Sequence, residues 1–121
     1  MTQPFETLII ESHSILQQAL EKELLSIDID YEAGRLRIKL RKGLIVYVRY
    51  NNYGQYSYMI QFSMKLLDRI RFDNFDEEWP NSTWPHHCHP RFKKEAIMSQ
   101  FRGNPKADLP KLAELIMEHL E

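Results

Sequence analysis

The constraint that most limits the fold lies between residues 27 and 72, where apolar and polar side chains alternate in short runs separated by hairpin-length connections. The runs are Ile27–Tyr31, Arg35–Leu40, Leu44–Tyr50, Gln55–Phe62 and Leu66–Phe72. Successive side chains of a strand point to opposite faces, so each run predicts a strand with one apolar and one polar face. The connections hold Ala33-Gly34, Arg41-Lys-Gly43, Asn51-Asn-Tyr-Gly54 and Ser63-Met-Lys65, three of the four with the glycine that tight hairpins favour. The expectation is a curved antiparallel meander of about five strands. Leu36, Ile38, Leu40, Val46, Val48, Tyr58 and Ile60 should be buried in it, and Arg35, Arg37 and Lys39 exposed.

Helical periodicity brackets this region. Phe5, Leu8, Ile9, Ile15, Leu16, Ala19, Leu20 and Leu24 recur at helical spacing over residues 5–25, with Pro4 as a starter. Ser14-Ile-Leu-Gln17 reads as a capping box at which the helix restarts. Near the other end Asp108 reads as the N-cap of a helix with Leu112, Leu115, Ile116 and His119 or Leu120 on one face, so Leu115 and Ile116 should be buried. The class is therefore α+β, with both helices available to cover the apolar face of the sheet. At 121 residues and 43% hydrophobic side chains, residues 1–121 should form a single domain around one core.

The longest apolar run, Leu44-Ile-Val-Tyr-Val48, is far short of the ~20 residues of a membrane span. No secretory signal is expected at the start. The single cysteine, Cys88, has no internal disulfide partner, which fits a reducing compartment and a cytoplasmic protein. Asn81-Ser-Thr83 matches a glycosylation sequon but is read as turn chemistry.

Chemistry concentrates in residues 69–90. Three of the five histidines (His86, His87, His89) and Cys88 lie between Pro85 and Pro90. Prolines fix φ and lack an amide donor, so the expectation is a constrained loop and not a central strand. About 34 residues between the last expected strand and the last helix carry no clear element, and long irregular segments of compact domains are often functional. Imidazole titrates near neutrality, which suits it to proton transfer, metal ligation or phosphate binding. Zinc is disfavoured by a missing second ligand pair and by neighbours that would diverge in a loop, so neither a metal nor another cofactor is expected. His13 and His119 read as helix-face histidines, and Trp79 and Trp84 as anchors of the loop.

A net charge of −1 conceals an asymmetry. Residues 1–33 carry seven acids against Lys22 alone, whereas residues 34–65 carry seven bases and no acid. Arg35, Arg37, Lys39 and Arg49, with Arg69 further on, are interleaved with Tyr47, Tyr50, Tyr53, Tyr56 and Tyr58. Cations for phosphates beside rings for unpaired bases suit RNA, although bases alternating with leucines also describe any half-solvated strand. Neither a phosphate-binding glycine loop nor a nucleophile elbow is present, which removes much of the usual enzyme repertoire.

Tyr56-Ser-Tyr58, Arg71-Phe-Asp-Asn74 and Ser82-Thr-Trp-Pro-His-His-Cys-His89, followed by a capped helix, resemble the TumE-type toxins of bacterial toxin–antitoxin modules over roughly residues 30–120. Relatives commonly carry a further histidine pair after Asp-Asn, where this chain has Phe75-Asp76-Glu77. The resemblance implies a helix-turn-helix antitoxin as partner and a toxin acting on RNA or translation. The residues themselves suggest metal-independent RNA cleavage. Two of His86, His87 and His89 would be base and acid, Arg71 or Arg69 would stabilise phosphorane charge, and Asp73 would orient an imidazole. The alternative is a non-catalytic module that binds nucleic acid or protein, with Asp73 and Asn74 capping a turn.

Overall fold

The computed structural model describes residues 4–75 and 81–121. Trp79 therefore lies outside the described residues. Helix α1 spans Phe5–Ala19, with Pro4 as its N-cap and the Pro4 carbonyl accepting from the amides of Thr7 and Leu8. It buries Ile9, Ser12 and Leu16. Ser14 lies exposed inside the uninterrupted helix, so the expected restart does not occur. Leu24, expected to end this helix, instead opens the first strand after a 3-10 turn at Glu21–Glu23, because its pairing with Leu40 holds the backbone extended.

Seven strands form one sheet in sequence order, every neighbouring pair antiparallel: β1 Leu24–Asp30, β2 Arg35–Leu40, β3 Ile45–Tyr50, β4 Tyr56–Gln61, β5 Arg69–Asp73, β6 His87–His89 and β7 Ile97–Met98. The two strands beyond the expected five are β6 and β7. His87–His89, three of the four residues between Pro85 and Pro90, thus form a strand between β5 and β7, contrary to the reading of the segment as a loop. The prolines fall just outside the pairing, and the three paired residues, His87, Cys88 and His89, keep their amide donors.

At the β1–β2 turn Gly34 has φ +63°, and its carbonyl accepts from the Tyr50 amide. A Cβ there would stand 2.4 Å from the Tyr50 carbonyl oxygen, so no side chain fits.

Helix α2 spans Pro105–Leu120, and its N-cap is Asn104, not Asp108. The Asn104 side chain accepts from the amides of Lys106 and Ala107, with proline in the first position. Both helices cover one face of the sheet, so Leu36, Ile38, Leu40, Val46, Val48, Tyr58 and Ile60 are buried as expected, together with Leu109, Leu112 and Ile116. Leu115 is only partly buried at the edge of this core, because Leu112, Ile116 and Leu120 take the inward face. Arg35 and Lys39 are exposed, and Arg37 is half-buried beside Tyr47.

Candidate functional site

Strand register determines what stands on the face away from the helices. One row across the sheet reads Arg35, Arg49, Ser57, Asp73, His87 and Met98, and the next reads Arg37, Tyr47, Met59, Arg71 and His89. A third brings Lys39, Ile45, Gln61 and Arg69 into line. His87 and His89, two apart on β6, therefore point the same way, while Cys88 points into the core, where burial raises its thiol to about 11. The divergence expected of neighbours in a loop is replaced by the parallel projection of alternate residues in a strand.

Register converts sequence separation into contact. Asp73 stands directly opposite His87, and Arg71 opposite His89. The Arg71 Nε donates to Asp73 Oδ2 at 2.6 Å, and Asp73 Oδ1 accepts from the Phe75 amide at 3.3 Å and lies 2.6 Å from His87 Nε2. The two imidazoles meet edge to face, with centroids 4.9 Å apart. His87 is fully buried, Asp73 is 2% exposed and His89 4%. Desolvation pushes the His89 imidazole down to about 4, reinforced by the Arg71 charge.

His86 does not join them. It stacks on Tyr56, with centroids 5.7 Å apart, and its Nδ1 lies 2.9 Å from the Tyr56 hydroxyl. That hydroxyl donates to the Phe101 carbonyl, which can only accept, so His86 Nδ1 is the donor in the remaining contact. Thr83 fixes the same turn by donating to the His86 carbonyl, and Asn81 Oδ1 accepts from the Thr83 amide, which makes the sequon a side-chain-capped turn.

The cations divide as well. Arg69 donates to the carbonyls of Pro90 and Lys93, so it anchors the turn after β6 and is not held ready for a phosphate. Arg35 and Arg37 meet Asp30 and Asp28 of β1 at 3.8 and 4.0 Å. The acids missing from residues 34–65 are thus supplied across the hairpin, which the chain order concealed. These pairs are long and solvated, so they hold the cations only weakly. Lys39 and Arg49 are exposed on the same face.

A second polar site escaped the sequence reading because its members are far apart in the chain and resemble core or cap residues singly. Asp108 accepts from the Tyr58 hydroxyl and from the amides of Arg102 and Gly103. Ser12 donates to the Leu8 carbonyl and lies 3.1 Å from the Tyr50 hydroxyl, which lies 2.9 Å from that of Tyr58.

No family model, curated protein or solved structure matches this chain.

Proposed function

We propose that the protein acts on RNA as the toxin of a toxin–antitoxin pair, gripping single-stranded RNA on the open face of its sheet and cleaving it at the cluster of Arg71, Asp73, His87 and His89. The observation that carries the reading is the register, which lines up Arg35, Arg37, Lys39 and Arg49 on β2 and β3 with that cluster on β5 and β6. At ~4.8 Å per strand the span from β2 to β6 is about 19 Å, enough for several nucleotides. The resemblance of Arg71-Phe-Asp-Asn74 and Pro85-His-His-Cys-His89 to TumE-type toxins supports the toxin assignment and the helix-turn-helix antitoxin as partner.

Cleavage through the 2′-hydroxyl needs a base, an acid for the leaving oxygen and a cation beside the developing phosphorane. His87 and His89 supply the first two. Arg71, with a side chain 41% exposed, supplies the third, and Asp73 positions both the arginine and His87. Burial of both imidazoles favours a second reading, in which the face binds RNA or a protein partner and the cluster only holds β5 to β6. Expression without the antitoxin separates the two. His87→Ala should relieve growth arrest while circular dichroism remains that of the folded domain. Undiminished arrest by folded His87→Ala and His89→Ala variants would remove catalysis from the cluster.

A further inference from the structure

The side chains of Asp73, His87 and His89 offer one carboxylate oxygen and two ring nitrogens within 4.8 Å of one another, all from buried residues. The geometry points to a binding site for one divalent first-row transition-metal ion, held by Asp73, His87 and His89 between β5 and β6. The inference goes beyond the RNA reading and its test contains no RNA; a bound ion would take the ring nitrogens that reading uses as base and acid, so the metal-free protein is the form to which that reading applies.

The placement of His87 carries the argument. Its Nδ1 lies 3.0 Å from the Pro85 carbonyl, which can only accept, so Nδ1 is the donor there and Nε2 is the nitrogen left to face Asp73. That Nε2 is buried and stands 2.6 Å from Asp73 Oδ1, a separation that a proton bridges when the imidazole is charged and that a metal ion can take when the proton leaves. A buried imidazole nitrogen facing a carboxylate supplies two of the ligands a metal needs, and ligand bonds of ~2.0–2.2 Å require the pair to open to ~2.9 Å in octahedral or ~3.3 Å in tetrahedral geometry. His89 brings the second imidazole from the same strand face, with its ring at 86° to that of His87.

The surroundings match the supporting contacts that orient metal ligands. Pro85 fixes the His87 tautomer, and Arg71 and the Phe75 amide fix the two carboxylate oxygens of Asp73. Two imidazoles and one carboxylate suit zinc, cobalt, nickel or ferrous ions, whereas magnesium and calcium favour oxygen ligands throughout. Cys88 faces the core and is excluded as a ligand. The Arg71 charge opposes an added cation, so binding should be weaker than in a thiolate site.

Full-length protein freed of metal with a chelator and titrated with Co(II) provides the test. One equivalent per chain should bind, giving visible d–d absorption without a thiolate-to-cobalt charge-transfer band, and Zn(II) should displace it. Asp73→Asn, His87→Ala and His89→Ala should each weaken binding at least tenfold, whereas Cys88→Ser and His13→Ala should leave it unchanged. Nuclear magnetic resonance of the wild-type histidine rings removes dependence on variants that fail to fold. Zn(II) should shift the signals of His87 and His89 and leave those of His13 and His119 in place. No saturable Co(II) binding, equal binding in folded His87→Ala and His89→Ala, or zinc shifts confined to other histidines would each overturn the assignment.

Discussion

Two buried aspartates, one on each face of the same sheet, have opposite surroundings. Asp108, on the helix-covered face, accepts from a phenol and two backbone amides, and its partner Tyr58 continues the network through Tyr50 to Ser12. Asp73, on the other face, accepts from Arg71 and Phe75 and also stands 2.6 Å from the buried Nε2 of His87, a titratable group. A saturated network holds one fold together, and an unsaturated one leaves chemistry available for a ligand. The contrast gives Asp108 an architectural role and leaves Asp73 as the one that the proposed function calls on.

Removing Asp108 should have the largest effect on stability. Asp108→Ala leaves the Tyr58 hydroxyl and two amides without their acceptor, so denaturant unfolding should show a loss of roughly 3 kcal/mol. Asp73→Asn keeps the size and one carbonyl acceptor, and Arg71 is half-exposed and can rehydrate, so its stability cost should be about 1 kcal/mol or less. Its toxicity should nonetheless be lost. Similar losses of stability for the two variants, with toxicity retained in Asp73→Asn, would erase the distinction.

Acid should expose the same contrast. His89 titrates near 4 in the fold and near 6.5 when unfolded, so between these values the unfolded chain binds more protons. Stability should therefore fall as the pH drops from 6.5 towards 4, and His89→Gln should flatten that slope in urea titrations at several pH values. On the other face Tyr50→Phe should cost about 1 kcal/mol, since it deletes the middle hydroxyl of the chain that ends on Asp108.

The smallest effects belong to the open face at β2 and β3. Lys39→Ala or Arg49→Ala should leave stability within ~0.5 kcal/mol and lower the salt dependence of RNA affinity by about one counterion each. Arg69→Ala should instead loosen the turn at Pro90 and Lys93, giving a stability loss larger than its effect on the salt slope.

Much of the sheet was legible because alternation and glycine turns are local signals, and β2 is found at its expected residues. The short β6 was hidden by Pro85 and Pro90, which mark a loop by rule but here delimit a strand only three residues long. Reading His87-Cys88-His89 with period two would have put both imidazoles on one face. Its pairing with Asp73 was beyond reach, since no local feature sets the register across residues 74–86. The role of Asp108 was misread for a related reason. Asn104-Pro105 carries the true cap signal, and the bond from Tyr58 to Asp108 links residues 50 apart in the chain.

The central claim, that the open-face cluster does chemistry on RNA, is tested most directly by incubating purified protein with an end-labelled single-stranded RNA, comparing wild type with folded His87→Ala and Tyr50→Phe. The account predicts discrete cleavage by wild type and by Tyr50→Phe, and RNA binding without cleavage by His87→Ala. Equal cleavage by all three, or RNA affinity undetectable at low salt and unchanged by charge reversal at Arg35, Arg37 and Arg49, would contradict it.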